Sequence, residues 1–187
     1  HAYHRRQRQM CIRDSSYNAN NADALDAGDI VTDSFTYTAS DGTTDNNATI
    51  EITVKGVNDA PVGTADTGSV NEDKQLTVSA GSGVLANDTD VDASSSLTVS
   101  AVQGQSSNVD SNVTGTYGVL NLDADGSYTY IANQSAADGL AAGATATDTF
   151  AYTVSDGTAT STVNLVITVT GVGPQAVADT ASVDENA

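Results

Sequence analysis

The chain has 187 residues, with 24 Asp and Glu against six Lys and Arg, a formal charge of −18 and a pI near 4.1. A surface of that sign cannot neutralise phosphates, which excludes nucleic-acid binding. One Cys and no Trp are present, and no apolar run approaches the roughly 18 residues that span a bilayer, so no membrane insertion is expected.

Residues 1–15 differ from everything after them. They carry four of the six basic residues (Arg5, Arg6, Arg8, Arg13), both histidines and the only Cys and Met. RRQRQMCIRDS at 5–15 resembles a translated sequencing-library adapter, so 1–15 reads as a non-native, disordered scar to be set aside from fold reasoning. The alternative is a basic arm for an anionic surface. Without these residues, Lys55 and Lys74 face 23 acids, a formal charge of −21. Self-repulsion of that size opposes compaction unless counter-ions offset it, and divalent cations suit that role.

Residues 22–57 return without a gap as residues 137–172, identical at 19 of 36 positions. ADTGSVNED at 65–73 reappears as ADTASVDEN at 178–186. Such periodicity marks a window of a tandem array. Its expected parts are the C-terminal half of a preceding repeat (16–60), one complete repeat (61–172) and the first strand of a following repeat (173–187). About 110 residues is enough for one two-layer core.

In 16–60 the spacing predicts a hairpin of strands 33–40 and 48–55. Its apolar face (Phe35, Tyr37, Ile50, Ile52, Val54) would lie open to water, an aggregation hazard. In 61–172 short runs alternate with a period of two: Leu97, Val99 and Ala101; Leu120 and Leu122; Tyr128 and Tyr130; Phe150, Tyr152 and Val154; Val163, Leu165, Ile167 and Val169. Asp-Gly at 41–42, 125–126 and 156–157 signals hairpin turns. Residues 134–143 are the one stretch suited to a helical turn. Alternation of this kind argues against disorder despite the acidic composition. The fold class is all-β, an antiparallel β-sandwich in tandem repeat.

Asn87-Asp88-Thr89-Asp90-Val91-Asp92 holds the densest run of oxygen donors. Alternate positions 88, 90 and 92 place three carboxylates on one side of an extended segment, and Ca²⁺ takes six to eight oxygens in flexible geometry. The competing reading is an acidic loop whose Asp side chains cap turns. Asn58-Asp59-Ala60-Pro61 also reads as a turn, the Pro biasing Ala60 to extended backbone. Asp156 sits in a hairpin turn, where turn formation competes with a ligand role. No enzyme is expected: after residue 15 there is no His or Cys for a triad, a thiolate or a zinc site. Lys74 has no Gly-x-Ser-x-Gly beside it, and no Trp offers a sugar platform.

Six segments in order, GVNDAPV (56–62), NEDKQLTVS (71–79), GVLANDTDVD (83–92), GTYGVLNLDADGSYTYIAN (115–133), GLAAG (139–143) and TDTFAYTVSDGT (147–158), resemble the VCBS repeat. These are cadherin-like, immunoglobulin-like modules of giant bacterial surface proteins and RTX-type adhesins. The resemblance implies a secreted, cell-surface adhesin or biofilm-matrix protein, often calcium-dependent. It also implies that Glu72 and the linker pair Asn58-Asp59 meet the acidic loop at a junction between neighbouring repeats, where bound Ca²⁺ stiffens the joint. The metal set is then Asp88, Asp90, Asp92, Glu72, Asn58, Asp59 and Asp156. Two departures stand out: the second linker reads GVGPQAV at 171–177 without Asn-Asp, and the glycine-rich calcium nonapeptides of RTX tails are absent from the sequence. Partners are neighbouring repeats of the same chain. Two alternatives are a module whose loops grip glycans, for which Tyr117 in GTYG is the one available aromatic, and a non-catalytic appendage of a large secreted enzyme.

Overall fold

A computed structural model describes residues 16–20, 22–92 and 95–173. The adapter-like segment 1–15 and the following-repeat strand lie outside the described residues. Two compact units divide between Val57 and Asn58.

The first unit is a hairpin. β1 (Ile30–Ser40) and β2 (Asp45–Lys55) pair antiparallel over their full length, from Ile30 opposite Lys55 to Ser40 opposite Asp45. Asp41 builds the turn by accepting the Thr43 and Thr44 N–H groups at 2.9 and 2.8 Å. As expected, Phe35, Tyr37 and Ile50 are exposed, while Ile52 and Val54 are half-buried.

The second unit contains β3 (Asp66–Asn71), β4 (Gln75–Val78), β5 (Thr98–Val102), β6 (Asn112–Thr114), β7 (Val119–Leu122), β8 (Tyr128–Ile131), the single-turn helix α1 (Ser135–Asp138), β9 (Thr145–Ser155) and β10 (Thr160–Thr170). They form two four-stranded sheets, β3-β10-β9-β5 and β4-β8-β7-β6. Pairing is antiparallel except between β3 and β10, which run parallel with Asp66 opposite Leu165 and Asn71 opposite Thr170. A parallel pair needs a long crossover, and here the whole sandwich lies between the two strands.

The alternating side chains of both sheets meet in one core. Leu120, Leu122, Tyr130, Phe150, Tyr152, Val154, Leu165, Ile167 and Val169 are buried, with Tyr130 and Phe150 edge-to-face at 6.2 Å. This is the sandwich that period-two patterning predicts. Helix α1 falls within the stretch suited to a helical turn. The Asp-Gly turns form with Gly42, Gly126 and Gly157 at φ of 85°, 85° and 96°, a region that a Cβ disfavours. The alternation at Leu97, Val99 and Ala101 fails at its end. A bulge between Val99 and Ala101 shifts the register, so Val102 enters the core while Ala101 is half-buried. Bulges insert one unpaired residue and swap the faces that follow.

Candidate metal centre

The acidic loop and the linker come together at the end of the second unit where β9 turns into β10. The Asp59 N–H donates to Asp92 Oδ2 at 2.9 Å, and the Asp92 N–H donates to Asp90 Oδ1 at 3.0 Å. Asn58 Nδ2 donates to Asp156 Oδ2 at 2.9 Å, and to the Asp59 carbonyl. Asp156 Oδ1 accepts the Thr158 and Ala159 N–H groups, both at 2.6 Å. The Ala159 amide, then Asn58, then the Thr158 amide hold the Asp156 carboxyl below the usual carboxylate range. Asp156 is therefore a turn-former whose carboxylate also holds the linker through Asn58.

Asp88 faces a different environment from Asp90 and Asp92. Its Oδ1 accepts the Thr64 N–H at 2.6 Å. Burial raises its pKa, helped by the nearby Asp66 charge. Burial likewise raises that of Asp66, which accepts the Tyr152 hydroxyl at 2.7 Å. Burial and the Asp66 carboxylate push the Tyr152 phenol up in turn. In the sequence Asp66 was marked only by the recurrence of Ala65-Asp66-Thr67 as Ala178-Asp179-Thr180.

Glu72 lies elsewhere. It follows β3, and its Oε1 accepts the Val172 N–H at 2.8 Å, just past the end of β10. Asp156 precedes β10, so the eleven residues of that strand, about 36 Å at ~3.3 Å per residue, separate the two. One unit thus does not bring Glu72 to its own acidic loop. Around Glu72 an open cleft of ≈ 540 Å³ is lined also by Asp73, Asp138, Leu140 and Ala141.

Four side-chain oxygens are buried without any hydrogen-bond partner among the described residues: Glu72 Oε2, Asp88 Oδ2, Asp90 Oδ2 and Asp92 Oδ1. All four belong to the expected ligand set, and the Glu72 and Asp92 side chains are only 6 % and 7 % exposed. A buried carboxylate oxygen without a partner costs free energy. A hard cation removes that cost, and carboxylate, amide and backbone oxygens are the donors Ca²⁺ prefers. The donor chemistry therefore fits Ca²⁺. Among the described residues, no group of three or more acidic, His or Cys side chains is arranged to hold a metal ion.

The best-satisfied acid was missed by the motif reading. Asp148 is buried, and accepts the Thr116, Tyr117 and Gly118 N–H groups at 2.8, 3.0 and 3.1 Å and the Tyr130 hydroxyl at 2.7 Å. A Cβ at Gly115 would collide with this carboxylate, which explains the first glycine of GTYG. A signal was present: Asp148 occupies an inward position two before Phe150, and Asp33 repeats it before Phe35. With all its partners inside the protein, Asp148 is structural. Tyr117 packs against the core, so the one aromatic available for a glycan platform is half-committed to the interior.

The bacterial cadherin-like domain model matches residues 58–171. Among solved structures, mouse clustered PcdhgC3 EC1-3 is 18% identical, with 77% of this chain and 44% of that chain covered and a TM-score of 0.43. Human protocadherin-24 EC1-2 is 16% identical, covering 77% and 67%, at 0.38. The endo-fucoidan hydrolase MfFcnA4 from glycoside hydrolase family 107 is 22% identical over 80% of this chain, at 0.34, and this chain spans only 20% of its length. At such scores none carries an argument. No curated protein matches the chain.

Proposed function

This chain belongs to the bacterial cadherin-like domain family, and from that premise we propose that its complete unit is a non-catalytic spacer whose joints with neighbouring repeats are stiffened by Ca²⁺. Cadherin-like domains are extracellular modules that generally bind calcium, and an adhesive or structural role agrees with the sandwich described above. The proposed setting is a secreted bacterial surface or matrix protein in which repeats hold a binding domain away from the cell.

The observation carrying this reading is the set of four partnerless buried carboxylate oxygens. Asp90 and Asp92 lie at the linker end, and Glu72 at the far end of the sandwich. In a tandem array the Glu72 end of one repeat faces the acidic loop of the next, so two partial shells complete one another. Ca²⁺ held there neutralises part of the −18 charge and fixes the angle between repeats. Low calcium before secretion would leave the chain loose, and higher calcium outside would fold and straighten it.

Thermal melts of two complete repeats in tandem, in chelator and in millimolar Ca²⁺, test the proposal. An ion binding only the folded state at 10–100 times Kd adds about 1.4–2.7 kcal/mol per site, which raises Tm by several degrees for a domain of this size. Identical melting curves, with no heat on calorimetric titration of Ca²⁺, would overturn it.

A further inference from the structure

We propose that Tyr152 is a positioning residue for the acidic loop: its buried hydroxyl fastens the segment carrying Asp88, Asp90 and Asp92 in the shape a cation needs. The inference rests on the reading of those carboxylates as Ca²⁺ ligands. Residues 79–97 join β4 to β5, and the second half of that connection is held by the chain entering the unit. The Asp59 N–H donates to Asp92 Oδ2 at 2.9 Å. The Val62 N–H donates to the Thr89 carbonyl at 2.7 Å, and the Thr89 N–H returns the bond at 3.1 Å. The Thr64 N–H donates to Asp88 Oδ1 at 2.6 Å. Segments 59–64 and 88–92 therefore clasp one another. Irregular segments that hold only each other open together, so the clasp needs an anchor on the sheets.

Tyr152 supplies that anchor. It projects from β9 into the core and is fully buried. Its hydroxyl donates to Asp66 Oδ2 at 2.7 Å, with the Val84 carbonyl at 3.1 Å and the Thr64 carbonyl at 3.3 Å. Thr64 and Asp66 lead the entering segment into β3, and Val84 precedes the acidic loop, so one phenol meets the chain on both sides of the clasp. The Asp88 carboxylate lies near the same hydroxyl. A second tie to the sheet, from the Gly63 N–H to Ser161 Oγ, is long at 3.4 Å. Burial, then Asp66 and Asp88, disfavour the ionised phenol, so it remains a donor. Without its oxygen, Asp66 and two carbonyls lose that donor. Buried acceptors left so recover by turning to water, which pulls Thr64 away from Asp88.

Tyr130 is the matched contrast. Its hydroxyl also donates to a carboxylate at 2.7 Å from within the core, but that carboxylate is Asp148. The other donors to Asp148 are the Thr116, Tyr117 and Gly118 amides, away from the acidic loop. Losing either hydroxyl removes one buried hydrogen bond and keeps the ring, so a purely structural role predicts similar losses of stability. Only Tyr152 is placed to change the loop.

The test is amide hydrogen exchange on the full chain in chelator, then calorimetric Ca²⁺ titration of two complete repeats in tandem. In Tyr152→Phe, exchange at Val62, Thr64 and Thr89 should accelerate about tenfold more than at Leu165 and Ile167, whose amides in the central strand β10 report global opening. Asp66→Ala, which takes away the nearest acceptor of the phenol, should loosen the same three amides. The Ca²⁺ Kd of the Tyr152→Phe tandem should rise about tenfold or more, as when a ligand loses an outer partner. Tyr130→Phe should loosen residues 116–118 instead and leave Kd within about twofold. Loop amides that exchange no faster than β10 in both Tyr152→Phe and Asp66→Ala overturn the inference. Equal loosening of the loop by Tyr130→Phe, or a loosened loop with unchanged Kd, overturns it too. A wild-type tandem that takes up no Ca²⁺ overturns the spacer reading together with this inference, whereas Ca²⁺ uptake that Tyr152→Phe leaves unaltered overturns this inference alone.

Discussion

Phe35 and Phe150 occupy the same place in two copies of one sequence; the first is 49 % exposed and the second 1 %. Tyr37 and Tyr152 differ in the same way, at 37 % and 0 %. The backbone around them hardly differs. The Gly56 N–H donates to the Asp29 carbonyl at 2.9 Å, and the equivalent Gly171 N–H donates to Ala144 at 2.9 Å. Asp41 and Asp156 form the same turn through the same two amides. Even the aromatic contact is repeated, since Tyr17 meets Phe35 edge-on at 6.1 Å and donates to Asp33, as Tyr130 does to Phe150 and Asp148. YNAN at 17–20 matches YIAN at 130–133, so the repeat continues upstream of residue 22 after a two-residue shift. Local sequence is enough to specify the hairpin. Its burial depends on strands β3 to β7, which have no counterpart in residues 16–57, and on β8, of which only the end recurs there, at Tyr17 and Asn18.

Paired substitutions test this contrast. Phe150→Ala should destabilise the second unit by about 3–5 kcal/mol in urea titration, whereas Phe35→Ala should stay within about 0.5 kcal/mol. Equal losses would mean that the hairpin face is covered in solution. Asp148→Ala deprives three amides and a phenol of their acceptor and should cost about 3 kcal/mol or more, at ~1–3 kcal/mol for each buried donor left unpaired. Asp33→Ala, with one exposed hydroxyl partner, should cost under about 1 kcal/mol.

A smaller effect concerns the metal. Asp92→Asn keeps an acceptor for the Asp59 N–H and removes a charge, so calorimetric Ca²⁺ affinity should fall about tenfold or more. Asp41→Asn should leave it unchanged. The smallest effect is a titration. Backbone amides hold Asp41 and Asp156 below the usual carboxylate range. A depressed folded-state pKa contributes stability above the unfolded value, and that contribution is lost as pH falls through the depressed one. Both turns should therefore weaken only in acid, below the ordinary Asp pKa. Carbon-13 detection of the two carboxyls should show both low, and Asn58→Ala should raise Asp156 alone, since among the described residues Asp41 has no such side-chain amide partner.

Much of this was legible beforehand because strand alternation and Asp-Gly turns are short-range signals. Each depends on Cβ direction or on the φ that glycine tolerates, and both are properties of neighbouring residues. The bulge at Val99–Ala101 was not legible, because a register shift depends on what the partner strand β9 offers. Asp148 was overlooked since its partners come from β8 and from GTYG, 18 and about 30 positions away. The candidate oxygen donors were named residue by residue, but their division between two ends was hidden: position along the sandwich follows from strand direction, which a linear motif does not carry.

Taken alone, the sequence determined the repeat, the all-β class, the turns and the acidic donors, since each is written in spacing of a few residues or in direct self-similarity. The tertiary structure decided which carboxylates are satisfied inside the protein and which keep a buried oxygen without a partner. It also decided which copy of the same apolar face is covered. Burial is a property of what packs against a residue, and two similar strands in different company acquire different chemistry.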